Sequence, residues 1–244
     1  MSGTWIIFKR EISQYLSSPT AYIIAFAFLL LTAIFFNRDL AVSVGNKPID
    51  TSAVPSFLSF GMIFFAPILT MRMLAEEGRE GTLELLLTAP IKDSSIVIGK
   101  FFSAWVFFSV LLIATLFYLV IASTIITTTI PDFGIAASAY IGIWLYGGAT
   151  LAIGLMFSSM TENQIVAAFL SISTLLFLWL ADQAGQVVAN IELANLIRKL
   201  SLQGHFAPSF AFGLARAEDV AFFAGIITIA LFITIRIVES HRWR

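Results

Sequence analysis

The chain has 244 residues, 59% of them hydrophobic and only 12% charged, with a mean hydropathy of +0.92; soluble domains are roughly 45–50% apolar and about 25% charged, so an ordinary soluble protein is excluded. The formal net charge of −1 argues against nucleic acid as a partner, because that requires a basic footprint. There is no cysteine, which removes disulfides, thiolate nucleophiles and Cys-ligated metals.

The hydrophobic excess falls in segments long enough to cross a bilayer, which takes roughly 20 helical residues. The 24 phenylalanines suit lipid-facing surface. The fold class expected is an all-α integral membrane protein. Residues 4–17 open the chain as an amphipathic helix. Trp5, Phe8, Ile12 and Tyr15 or Leu16 recur at three- and four-residue spacing, with Lys9, Arg10, Ser13 and Gln14 mostly off that stripe. Beside a span, such a helix lies in the interface plane; the alternative is a cytosolic extension of the first span. The charges Lys9, Arg10 and Glu11 and the lack of a small-residue cleavage pattern argue against a cleaved signal peptide. Residues 1–19 therefore read as an amphipathic unit and residues 20–244 as a six-span transmembrane domain. Pro19 marks the bend between them.

Span 1 is expected at about 20–37, ended by Arg38 and Asp39, and span 2 at about 54–73. Pro67 sits inside span 2, where it removes a helix hydrogen bond and can kink the helix. Span 3, about 95–122, exceeds one bilayer width, so it tilts or its first turns stand in the cytoplasm. Span 4, about 135–157, carries Ser138, Gly142, Gly148, Ala152 and Gly154, small residues that allow close helix approach. Span 5 is expected at about 164–181. Residues 182–217 then break the rhythm as a short amphipathic helix, a turn at Gln203-Gly204 and a short element near Phe210. Span 6, about 218–237, leads to a basic tail.

Six spans put both termini on one side. The side with the termini, the 72–93 loop and the 158–163 turn holds Lys9, Arg10, Arg72, Arg79, Lys92, Lys100, Arg236, Arg242 and Arg244. The other side holds Arg38, Lys47, Arg198, Lys199 and Arg216. The positive-inside rule thus places both termini and the loop in the cytoplasm. Trp5, Trp105, Trp179 and Trp243 read as interfacial anchors, while Trp144 does not fit that pattern.

The span centres carry no Asp, Glu, Lys, Arg or His. A proton relay, ion-coupled carrier or voltage sensor normally needs some. His205 and His241 lie outside the spans and far apart in sequence, and His205 has no nearby acidic or histidine ligand partner at useful spacing. A Walker A motif is also missing: Gly99-Lys100 is followed by Phe101, and Ser94 stands where the pattern needs glycine. The chain is not expected to be an enzyme, and any energy must come from another polypeptide.

The charge that remains is concentrated between spans 2 and 3. Glu76, Glu77, Glu80 and Glu84 follow at three- and four-residue spacing, interrupted by Gly81-Thr82. Thr82 can cap a new helix, with Glu84 near its positive end. Leu85, Leu86 and Leu87 then form an apolar turn stopped by Pro90. A short helix at 82–89 with that turn needs a surface to bury it, either the chain's own span ends or a partner's groove.

The run from Met73 to Asp93, with its Glu-Glu…Gly-Thr-x-Glu-x-x-x-Thr-x-Pro pattern, and Ile98-Gly-Lys100 resemble the ABC-2 type permeases. The resemblance is greatest to the branch of the gliding-motility and nitrous-oxide-reductase maturation permeases. Gly204-His-Phe, Phe210, Gly213 and Asp219 are similar to that family's segment before the last span. The resemblance implies a permease subunit of a prokaryotic inner-membrane transporter that works as a homo- or heterodimer in membrane lipid. It implies a separate P-loop ABC ATPase that binds ATP and Mg. The 1–19 unit would be the elbow helix. The loop would be a coupling helix seated in that ATPase, with Glu76, Glu77, Gly81, Thr82, Glu84, Leu86 and Pro90 as the coupling residues. The work done would be export or a conformational change across the membrane. The other reading of the same loop is a non-transporting scaffold that anchors soluble partners.

Overall fold

The computed structural model describes residues 3–43, 50–88, 91–125, 132–187 and 190–241. Every described element is helical. Six helices are long and apolar enough to cross a membrane. They are α2 (Pro19–Ser43), α3 (Ala53–Thr70), α6 (Asp93–Ile125), α7 (Phe133–Met160), α8 (Gln164–Val187) and α11 (Ala217–His241). The short elements are α1 (Gly3–Ser17), α4 (Ala75–Arg79), α5 (Thr82–Thr88), α9 (Ile191–Leu200), α10 (Leu202–Phe206) and one 3-10 turn at Phe210–Phe212.

α7 is the spine. Of its most apolar stretch, 72% is buried, against 17% for α8 and for α11. Its small residues are the reason. A methyl group at Gly142 would overlap the Phe210 ring, one at Gly147 the Phe108 ring, and one at Gly154 the Thr70 hydroxyl. Bundles in lipid gain their cohesion from such close packing, since lipid tails are as apolar as leucine. α7 starts sharply because Asp132 caps it, accepting from the Gly134 and Ile135 amides at 2.9 and 3.2 Å.

Several helices outlast the apolar runs that announce them. α2 continues past Arg38 and Asp39 to Ser43, and α8 continues past Ala181 to Val187. Hydropathy reports the stretch that suits lipid, whereas a helix ends only where a cap or breaker ends it. At 33 residues, α6 is about 50 Å long, well beyond a hydrocarbon core of about 30 Å. Pro67 lies inside α3, which runs on to Thr70.

Two sequence expectations are corrected. Trp105 is not an interfacial anchor. It stacks on Trp144 with ring centroids 4.3 Å apart and donates to the Trp144 carbonyl, while Trp144 donates to Ser109 at 2.8 Å. The two indoles stack between α6 and α7, and each N–H finds a partner there, the Trp144 carbonyl for Trp105 and the Ser109 hydroxyl for Trp144, which also explains Trp144. His205 does have an acidic partner, Asp219, 2.7 Å from its Nδ1. The intervening turn folds back so that His205 stacks on Phe222 at 3.8 Å. Fourteen residues of separation hide this pair from a spacing argument.

One end of the bundle gathers α1, α4, α5, the turn between α7 and α8, and the last turn of α11. A cleft of about 370 Å³ is lined there by Leu74, Gly78, Ser158, Glu162 and His241 among others. The opposite end carries α9, α10 and the Phe210 turn.

Candidate functional site

The connection between α3 and α6 is built as two short helices meeting at a glycine. The chain leaves α3 at Thr70 and turns through 71–74. α4 then begins with an apolar residue, Leu74, at its N-cap position, where a side-chain acceptor is normally needed. Ser158 of α7 supplies it. Its hydroxyl oxygen accepts from the Leu74 and Ala75 amides, both at 3.1 Å, and its proton goes to the Met71 carbonyl at 3.1 Å. The first turn of α4 is thus capped from another helix, and Glu76 and Glu77 sit in that turn, where negative charge is favoured.

Glu77 enters a cluster of four charges, buried except for Arg10, whose side chain is 38% exposed. Its Oε1 is 2.6 Å from Arg10 Nη2 and 2.9 Å from Lys100 Nζ. Glu11 Oε1 is 2.8 Å from the same Arg10 nitrogen and 3.0 Å from Lys100 Nζ. The side chain of Lys100 is 1% exposed and that of Glu11 6%. Two cations and two carboxylates therefore tie α1, α4 and α6 together in one neutral knot. Burial works against the Arg10 charge, but Glu11 and Glu77 outweigh it and hold the guanidinium charged more firmly than usual. Burial, reinforced by Glu11, likewise pushes the Tyr15 phenol up. α1 lies this close to α6 because Gly99 leaves room: a methyl group there would press on Ile7 and on the Thr4 carbonyl. The face of α1 against α6 carries Ile7 and Glu11, while Trp5 and Leu16, on the apolar stripe read from the sequence, are exposed.

Glu76 points elsewhere. It pairs in a fork with Arg72 at 2.9 and 3.3 Å, and Arg72 also donates to Thr20 at the start of α2 at 3.2 Å. Gly81, with φ +70°, makes the junction between α4 and α5. Thr82 is the first residue of α5, and its hydroxyl donates to the Glu77 carbonyl at 3.4 Å. Leu83 is buried and Leu86 packs partly against the core, whereas Glu84 is exposed. Pro90 lies outside the described residues. Of the residues singled out in the loop, Glu76, Glu77, Gly81 and Thr82 are gathered in one compact turn, and Glu84 stands clear of it.

Arg10, Glu11, Lys100 and Ser158 belong to this site but not to the sequence-derived set. Glu11 carried a signal: it follows Ile7 by four residues and so shares the face of an apolar side chain. Lys100 carried another, a lone ammonium within an apolar run directly after a glycine.

Beside the knot, a cleft of about 590 Å³ opens between α1, the first turn of α2, the end of α3 and α4. Among the described residues, no group of three or more His, Cys, Asp or Glu is arranged to hold a metal ion.

Two comparisons bear on this arrangement. The sequence model of the ABC-2 family transporter proteins matches residues 5–233, from α1 into α11. The probable ABC transporter permease protein NosY of Pseudomonas aeruginosa is 26% identical over 220 residues, covering 85% of this chain and 75% of that protein. The matched region takes in the knot, the two-helix connection and the six apolar helices, the last of them as far as residue 233. The chain is a multi-pass integral membrane protein and belongs to the ABC-2 family, as a membrane permease subunit of an ABC-2 type transporter.

Proposed function

We propose that the α4–α5 connection is the coupling element of this permease, and that it seats in a separate P-loop ATPase which binds ATP and Mg. The observation that carries this reading is the buried knot of Arg10, Glu11, Glu77 and Lys100. A solvated loop has no use for a buried ammonium shared with two other helices. A connection that takes a push at α5 and delivers it to α1 and α6 does. Glu84 and Leu86 meet the partner's groove, Gly81 and Thr82 set the angle of α5 to α4, Glu76 and Glu77 anchor α4, and Pro90 ends the element. The segment 1–19 is the elbow, moving with the connection through Arg10 and Glu11, and residues 20–244 form the transmembrane domain. The end with the connection and both termini faces the cytoplasm of a prokaryotic inner membrane, and two permease copies work with two ATPases. ATP binding biases a two-state bundle through its differential contact with α5, which drives export or other conformational work.

The test is co-purification from the native membrane with an ATP hydrolysis assay, comparing Glu84→Lys and Leu86→Asp with the unmodified chain. Both variants are expected to insert normally, lose the ATPase subunit and abolish permease-dependent turnover. Unchanged partner recovery and turnover in both would refute the coupling assignment. A stable complex without any nucleotide-binding subunit would favour the scaffold reading instead.

A further inference from the structure

α10 and the Phe210 turn cover the end of the bundle opposite the α3–α6 connection. Leu202, Phe206 and Phe210 are fully buried, and Phe210 fills the space that Gly142 leaves on α7. His205 ties this cover to two other helices. Its Nδ1 is 2.7 Å from Asp219 Oδ1 of α11, and its Nε2 is 3.0 Å from the Lys199 carbonyl of α9. The Ser209 hydroxyl donates to the His205 carbonyl at 2.5 Å and binds the Phe210 turn to the same residue.

The two partners fix the proton count of the ring. A backbone carbonyl only accepts, and so does an ionised carboxylate. Both contacts are hydrogen bonds only when both ring nitrogens carry protons. A neutral ring sets a lone pair against one of the two oxygens. The surroundings favour the added charge. Asp219 Oδ2 is buried without a hydrogen-bond partner, so His205 is the side chain that neutralises this carboxylate. Lys199 lies in the last turn of α9, where carbonyls lack intrahelical partners and form the negative end of the helix. The ring stacks on Phe222 at 3.8 Å, and an aromatic face attracts a cation.

The other charged groups around α10 are placed as follows. Asp182 of α8 lies beside Gly204, and the Arg198 side chain of α9 lies against Gly185 of α8. The Lys199 ammonium is exposed. Arg216 and Glu218 pair with each other at 3.6 Å. From α7 the facing group is the Tyr146 phenol, edge-on to Phe206. The His205 side chain is 16% exposed and that of Asp219 6%, so water reaches the ring and its proton can leave.

We propose that His205 and Asp219 form a proton-dependent latch, which holds α10 and the Phe210 turn onto α9 and α11 while the ring is doubly protonated and loosens them when the proton is lost. The closed form binds the proton and the loosened form does not require it, so the latch holds at low pH and releases as pH rises. It stands whether or not an ATPase docks on α5.

The chain has two histidines, so NMR of the full chain with 15N-labelled histidine rings reads each of them, and His205→Gln assigns the signals. At pH 7.5, where an imidazole in water is mostly neutral, both His205 nitrogens are expected to carry protons, and Asp219→Asn is expected to leave one bare. Hydrogen exchange at residues 202–213 reads the latch itself. Relative to the amides of α7 in the same sample, exchange there is expected to be about tenfold faster at pH 9 than at pH 6, the factor that one hydrogen bond to a charged group supplies. In His205→Gln the same ratio is expected to be equal at the two pH values. A bare His205 nitrogen at pH 7.5 in the unmodified chain would overturn the proposal, and so would equal protection of 202–213 at both pH values. Loosening that persists in His205→Gln would overturn the assignment to this pair.

Discussion

Replacing Lys100 with methionine keeps the length of the side chain and removes its charge. The Lys100 ammonium contacts Glu11 and Glu77 at 3.0 and 2.9 Å. At an effective dielectric of about 20, each contact is worth ~5 kcal/mol of attraction. Burying the ammonium offsets several kcal/mol of that sum. Two carboxylate oxygens that share one nitrogen at those distances are at most ~6 Å apart, and their repulsion of ~3 kcal/mol persists once the lysine is gone. Arg10 alone then faces both acids. The expected loss is about 3–5 kcal/mol, the usual result of orphaning one side of a buried ion pair. At roughly 2–4 °C per kcal/mol for a chain of this size, the melting temperature falls by roughly 6–20 °C. The assay is thermal denaturation of the detergent-solubilised protein followed by size-exclusion chromatography. A second variant separates charge from packing: Lys100→Met with Glu11→Gln removes one acid and is expected to recover at least half the loss. A Lys100→Met protein that melts within a degree of the unmodified chain would refute the reasoning, and so would a double variant no better than the single one.

Ser158→Ala orphans the Leu74 and Ala75 amides at about 1–3 kcal/mol per buried group; faster hydrogen exchange at those two amides, with α7 itself unchanged, is the expected readout. Gly81→Ala meets no neighbour within 4 Å but is forced into a left-handed backbone, which costs about 1–2 kcal/mol. Its expected effect is weaker coupling of partner ATP turnover with normal membrane insertion, and Gly81→Asn should be milder. Gly142→Ala drives a methyl group into the Phe210 ring and should cost about 1–3 kcal/mol by overpacking. Limited proteolysis between α10 and α11 is expected to rise, and Phe210→Leu in the same chain to reverse it.

The six membrane helices were legible because each rests on a run of apolar residues that owes nothing to its neighbours. The α3–α6 connection was half legible. Gly81 and the clustered acids marked it as built, and Thr82 marked the start of α5. Which acid does which job was not legible, because Glu76 and Glu77 are adjacent, and only the packing of α1 sends one to Arg72 and the other to Lys100. Ser158 was invisible for a related reason. It looks like any small residue at the end of an apolar helix, and its role exists only because a turn 84 residues earlier lacks a cap of its own. Long-range polar satisfaction leaves no periodicity behind.

The two tethers on α4 differ in strength, and under the proposed coupling that difference governs how a force on α5 would be shared. Ser158 holds the start of α4 to α7 by neutral hydrogen bonds, each worth about 1 kcal/mol net. Glu77 holds its first turn to α1 and α6 by charge-assisted contacts in a buried site, which cost several-fold more to break. A displacement of α4 that must release one of them releases Ser158. The knot therefore ties α4 more firmly to α1 and the start of α6 than Ser158 ties it to α7.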